Sequence, residues 1–94
     1  HLRLEVPDVA ERERLWQSFL PPKAPVESNL NLNALANEFE LSGGYIKNAA
    51  VRAAFLAASV GAPIGMDILR LASALELEDM GRVVVNRQNS DAYS

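Results

Sequence analysis

Cysteine is absent from these 94 residues, and histidine occurs once, at position 1. Disulfides, zinc–thiolate sites, iron–sulfur clusters and cysteine nucleophiles are thereby excluded, as is a histidine metal cluster. The lack of cysteine fits a reducing compartment. Lysine is scarce too, with only Lys23 and Lys47. Neither stands in the Gly-x-x-x-x-Gly-Lys-Ser/Thr frame, in which backbone N–H groups and one lysine surround a nucleotide's phosphates. A lone terminal His1 allows no Ser-His-Asp arrangement. No run reaches the roughly 18–20 apolar residues of a membrane span, since the longest, Ala49 to Val60, is broken by Arg52 and Ser59. The opening, His1 to Val6, is not a signal peptide. Basic residues do not dominate: nine Lys+Arg stand against twelve Asp+Glu, a net charge of −3, which disfavours a dedicated nucleic-acid binder.

What is present is a foldable composition. At 49% hydrophobic, with five Gly and five Pro, the chain is too apolar for disorder. Its length gives one small domain. A complete nucleotide-hydrolysing fold, a TIM barrel or a doubly wound sheet does not fit into it.

Leu2, Leu4 and Val6 alternate with Arg3 and Glu5, the pattern of a strand. Two readings stand: a simple terminus, or the last strand of a preceding domain's sheet. Pro7-Asp8 opens a first helix, with Asp8 as cap and Glu11 at capping-box spacing. Val9, Leu15, Trp16, Phe19 and Leu20 form its apolar stripe, and Glu11 to Arg14 its wet face. Pro21-Pro22 stops it, and residues 21–30 form a loop with three prolines. Asn31 caps a short helix over Leu32–Glu40, apolar at Leu32, Leu35, Ala36 and Phe39. Ser42 is the expected N-cap of a third helix, Gly43–Val60. Ile46, Ala49, Ala50, Ala53, Ala54 and Ala57 give it one apolar face, and Val51, Phe55 and Ala58 cover much of another, the pattern of a central helix. Gly61 is its expected stop. A fourth helix is expected over Met66–Met80, with Ile68, Leu69, Leu71, Ala72 and Leu75 inward and Glu76, Glu78 and Asp79 solvated. Gly81 reads as its terminating glycine, Val83–Val85 as a short strand and Asn86–Ser94 as a loose tail. The expected class is all-α, four helices around one core.

Few residues suggest chemistry unaided. Trp16 and Phe19 read as core rather than as a binding surface. Glu76, Glu78 and Asp79 read as a wet face rather than a metal cluster, because one helix end rarely supplies enough oxygens in three dimensions. Arg52, on an otherwise apolar helix, is either a solvated edge residue or one held for an acidic partner or a phosphate. Ser42-Gly43-Gly44 alone is any turn into a helix, although two glycines let another group approach the backbone.

The order of segments says more. A Pro-Asp-started helix ends at Leu20-Pro21. Asn-Leu-Asn-Leu-Asn-Ala-Leu-Ala (29–36) begins the next, Leu-Ser-Gly-Gly-Tyr-Ile-Lys-Asn-Ala-Ala (41–50) enters the Ala-rich helix, and Ala-Pro-Ile-Gly-Met-Asp-Ile-Leu (62–69) leads to the last. Over residues 1–82 this resembles the small helical lid subdomain at the C-terminal end of an AAA-type (AAA+) ATPase module. There a strand ends at Pro-Asp, an Asp-Leu-x-x-Leu-Ala helix leads to Gly-x-Ser-Gly-Ala-Asp-Ile, and Ile-Thr-x-x-Asp-Phe introduces the final helix. The resemblance is closest to bacterial ATPases of the kind found with contractile injection systems.

The resemblance implies a four-helix AAA+ lid bundle at 8–82, with 1–7 the end of the last strand of a large ATPase subdomain and 83–94 a C-terminal tail. The large subdomain would carry the phosphate loop, the residues that hold Mg and water, and the arginine finger. This fragment would not be catalytic by itself. It would cover the adenine side of ATP or ADP, with Ser42, Gly43 and Gly44 beside the base. Gly44 stands where alanine is usual and Tyr45 where aspartate is usual. Some AAA+ branches place a sensor arginine at the Tyr45 position; here the nearest cation is Lys47, and Arg52 is nearly two turns further on. The implied partners are the large subdomain of the same chain and neighbouring subunits of a homo-hexamer, in the cytoplasm. The alternatives are a free-standing helical interaction module and a helix-turn-helix DNA binder, which would have only Lys47 and Arg52 on its third helix to read DNA.

Overall fold

The computed structural model describes the backbone of residues 6–93 and the side chains of residues 6–83. Of the strand end expected over residues 1–7, residues 1–5 lie outside the described residues, and Val6 and Pro7 are in no strand. Four helices follow in order: α1 (Val9–Phe19), α2 (Leu32–Glu38), α3 (Gly43–Val60) and α4 (Met66–Tyr93). The all-α reading holds. Among the described residues the only β pairing is an isolated parallel bridge between Val26 and Ile64, which ties the α1–α2 loop to the segment before α4.

Local signals set most helix ends. Asp8 caps α1 by accepting from the Glu11 backbone N–H at 2.9 Å, and Asn31 caps α2 by accepting from that of Ala34 at 3.0 Å. Each satisfies one of the four N–H groups that a helix start leaves unbonded. Ser42 occupies the N-cap position of α3, but its side chain makes no capping bond. Gly61 ends α3 in the left-handed region, φ 67°, and the Ala62 N–H bonds back to the Ala57 carbonyl at 2.9 Å. This is the Schellman arrangement, which glycine adopts without a Cβ penalty.

α3 packs against both α1 and α4, α1 lies on α2, and α2 touches α4. Trp16, Leu35, Leu41, Ile46, Ile64 and Leu69 are fully or almost fully buried, and Ala36, Ala49, Ala50, Ala53, Ala57 and Ala72 fill the spaces between them. Alanine on the inner face of α3 lets its neighbours approach to the short end of helix-packing distances.

The structure corrects several expectations. α4 does not stop at Met80 but runs through Gly81 to Tyr93, so Val83–Val85 are helical rather than a strand. A terminating glycine requires a left-handed backbone, which among the described glycines only Gly61 adopts. Arg82 also bridges Gly81 by pairing with Glu78 and Asp79, one turn back. Leu71 is exposed rather than inward, because Leu69, Ala72, Ser73 and Glu76 form the buried side of α4. Arg12 is not on the wet face: it is buried, four residues before Trp16 on the same side of α1. Its Nε donates to the Ala36 carbonyl at 2.8 Å and its guanidinium also donates to the Pro7 carbonyl. A cation thus sits at the C-terminal turn of α2, where the helix dipole favours it. The corrections at Glu76, Val51 and Phe55 belong with the site.

Candidate functional site

The five singled-out residues, Ser42, Gly43, Gly44, Tyr45 and Lys47, fall at the N-terminus of α3. Ser42 is buried, Gly44 and Lys47 are exposed, and Gly43 and Tyr45 lie between. Tyr45 packs against the core from its edge. The first helical bond of α3 runs from the Ile46 N–H to the Ser42 carbonyl at 2.9 Å. The N–H groups of Gly43, Gly44 and Tyr45 precede it, and the Ser42 side chain caps none of them.

Neither glycine is demanded by the fold. Neither has a positive φ. A Cβ on Gly43 would meet the Leu15 Cδ1 at 3.7 Å, an ordinary contact, and one on Gly44 would meet nothing within 4 Å. The space over Gly44 is open.

Beyond the turn, Tyr45 and Lys47 join Asn48, Val51, Arg52 and Phe55 around a shallow depression completed by Glu76 and Asp79 of α4. Ser42, Gly43 and Gly44 do not line it. Glu76 was expected in solvent and is instead buried, its carboxylate 2.9 Å from the Arg52 guanidinium. Glu76 lies seven residues after Leu69, on the same inner side of α4, and Arg52 neutralises it there. Asp79 stands 3.8 Å from the same nitrogen of Arg52. All three carboxylates of the 76–79 segment are therefore engaged by arginine, since Glu78 pairs with Arg82. Arg52 is neither a free edge residue nor a free base reader. This weakens the helix-turn-helix alternative, which needed it for DNA.

No sequence spacing announces the Arg52–Glu76 pair, because the two residues meet across helices. Val51 and Phe55 also depart from expectation. Their apolar character predicts a second covered face of a central helix, yet they are 59% and 73% exposed.

Among the described residues, no helix is long and apolar enough to cross a membrane, and no group of acidic or histidine side chains is arranged to hold a metal ion.

No curated protein matches the chain. Residues 8–83 match the family model described as the contractile injection system ATPase helical domain. That span takes in all of α1, α2 and α3, the turn at 42–45 and the depression. The chain belongs to the contractile injection system ATPase helical domain family.

Proposed function

We propose that this helical domain is the lid of its ATPase: it covers the adenine side of bound ATP or ADP with the turn at Ser42–Tyr45 and relays nucleotide state to a neighbouring subunit. The observation that carries this reading is the pair Gly43–Gly44. Glycine loses more conformational freedom on folding than any other residue, and at Gly44 neither the backbone angle nor any neighbour requires it. A flat ring that must approach the backbone closely gives the pair a purpose. In this reading the base lies over Gly44, Tyr45 borders it, and Lys47 is the nearest cation on the ribose and phosphate side.

The phosphate loop, the Mg ligands and the arginine finger belong to the large ATPase subdomain, so hydrolysis is not assigned to any of these 94 residues. What the lid contributes is shape. Closing over the base excludes water, and its position differs according to whether nucleotide holds it. In a homo-hexamer that difference reaches the next subunit as a rigid-body movement.

Gly44→Val in the full-length ATPase tests this. A branched side chain fills the open space over the turn. ATP affinity is expected to fall about tenfold or more, equivalent to ~1.4 kcal/mol, while the thermal melting of the protein shifts little. Unchanged affinity in a well-folded variant removes the turn from the nucleotide site.

A further inference from the structure

Arg12 is buried. An apolar side chain would fill that position beside Trp16 without taking a charge out of water. What arginine adds there is a pair of donors aimed at two different segments. Its Nε donates to the Ala36 carbonyl at 2.8 Å and its Nη1 to the Pro7 carbonyl. Pro7 leads the chain into α1, with its own φ set by the ring, and Asp8 beside it caps that helix. Ala36 lies near the end of α2, where the last carbonyls have no partner within the helix. A planar guanidinium holds two acceptors in a fixed relation, which the single ammonium of a lysine does not.

From Ala36 the chain has little freedom before it reaches α3. The Phe39 N–H bonds to the Leu35 carbonyl at 3.2 Å, and the Leu41 N–H to the Phe39 carbonyl at 3.0 Å. Leu41 and Ser42 are buried, and the Ile46 N–H closes on the Ser42 carbonyl at 2.9 Å. We propose that Arg12 is a positioning residue that couples the chain at Pro7 to the turn at 42–45. A shift of the backbone at Pro7 passes through the guanidinium to the end of α2, and from there along residues 39–42 to the start of α3. Energetic coupling is carried by hydrogen-bond networks and rigid elements in direct contact, and each link of this route is one or the other. A second side-chain bond between α1 and α2 runs from Asn33 to Glu13 at 3.0 Å, but it is exposed and touches neither Pro7 nor the end of α2. The coupling gives the relay proposed above a route within the domain. It does not rest on nucleotide touching residues 42–45.

Amide hydrogen exchange in the full-length ATPase, without nucleotide, tests this. The bonded amides of Phe39, Leu41 and Ile46 report on the route; those of Ala62 and Leu69, bonded to the Ala57 and Gly65 carbonyls, are the references. Pro7→Gly frees the backbone at the entry to α1. Arg12→Met keeps an unbranched side chain in place and removes both hydrogen bonds. Each is expected to speed exchange at 39, 41 and 46 several-fold while the references change little. In the double variant Pro7→Gly is expected to add nothing, because its route is already cut; this non-additivity is the measure of coupling. Asn33→Ala, the control, is expected to leave the route amides unchanged. Additive effects of Pro7→Gly and Arg12→Met, no response to Pro7→Gly, a response to Asn33→Ala as large as that to Arg12→Met, or equal acceleration of route and reference amides overturns the proposal. Equal acceleration is what an arginine that merely stabilises the bundle would give. Should Arg12→Met fail to fold, Arg12→Lys, which keeps the charge but not the two-point grip, takes its place in the same cycle with the same expectation. Failure here is distinguishable from failure of the lid reading. Lowered ATP affinity in Gly44→Val with an additive cycle keeps the lid turn and removes the coupling; unchanged affinity with a non-additive cycle does the reverse.

Discussion

Both sides of α3 carry apolar residues, and these have opposite fates. Ile46, Ala49, Ala50, Ala53 and Ala57 are buried, while Val51, Phe55 and Val60 stand in solvent. Apart from Ile46 the inner residues are alanines, and the larger Val51, Phe55 and Val60, with more to gain from burial, are left outside. The inner side is small because α1 and α4 approach it closely. The outer side is large because nothing within the described chain has to fit against it. Hydrophobicity says that a face gains from cover; residue size says whether this fold supplies it.

The strongest way to break that contrast is to remove a large residue from the inside. Trp16 is fully buried in the core that the inner face of α3 lines. Trp16→Ala is expected to destabilise the domain by about 3–5 kcal/mol, a large share of the stability of a small domain, read as a fall in the denaturant midpoint. Trp16→Phe should cost less, because the Trp16 Nε1 finds no acceptor among the described residues and its loss leaves no bond unmade. A midpoint unchanged by Trp16→Ala would mean that α1 faces the other way.

How much of this was legible in the sequence follows from the range of each interaction. Asp8, Asn31 and Gly61 were readable because each acts on a backbone group only a few residues away. Gly81 misled because a glycine near a helix end is a stop only if the chain turns left-handed there, and the Arg82 pairs across it favour continuing. Arg12 and Glu76 misled for a different reason. Both are charged residues on inward-facing positions, and their burial depends on partners in other segments: the Pro7 and Ala36 carbonyls, and Arg52. Periodicity correctly marked Val51 and Phe55 as apolar but does not reveal where their cover comes from. At the candidate site the turn itself was readable. That Gly43 and Gly44 are free of any structural demand was not, since it required knowing what surrounds them.

The contrast is sharpened from the outside by Phe55→Ser. Phe55 lies on the uncovered face, so truncating it removes little packing from the bundle. The expected change in the domain's unfolding free energy is within about 0.5 kcal/mol, the range of ordinary surface substitutions, against several for Trp16→Ala. Equilibrium denaturation of the two variants side by side makes the comparison. A loss of 2 kcal/mol or more, well outside that surface range, would place Phe55 in the core and erase the two-faced description of α3.

The smallest expected effect concerns a contact that is also on the surface but is specific. Arg70 of α4 donates to both carboxylate oxygens of Glu38 at the end of α2, with Nε at 2.9 Å and an Nη at 3.2 Å. The hydrogen bond from Arg70 is the main reason the Glu38 carboxyl is held below its ordinary range; slight desolvation opposes it and the arginine's charge adds to it. The same pairing raises Arg70, far above any pH of interest. Glu38 is therefore the group that titrates. A carboxyl depressed in the folded state binds its proton less readily there than in the unfolded chain. Its contribution is thus complete above the unfolded value and is lost as pH falls through the depressed folded value. Both side chains are exposed, so solvent and salt screen the pair and the effect is small. The measurement is the difference in melting temperature between the wild type and Glu38→Gln, taken at neutral pH and in steps through the acidic carboxylate range. A small advantage of the wild type at neutral pH should shrink as Glu38 protonates and should also narrow at high salt. An advantage that stays constant across that range would mean that Glu38 stabilises the bundle through packing, not charge. The outer surface near α2 would then behave like the inner face of α3.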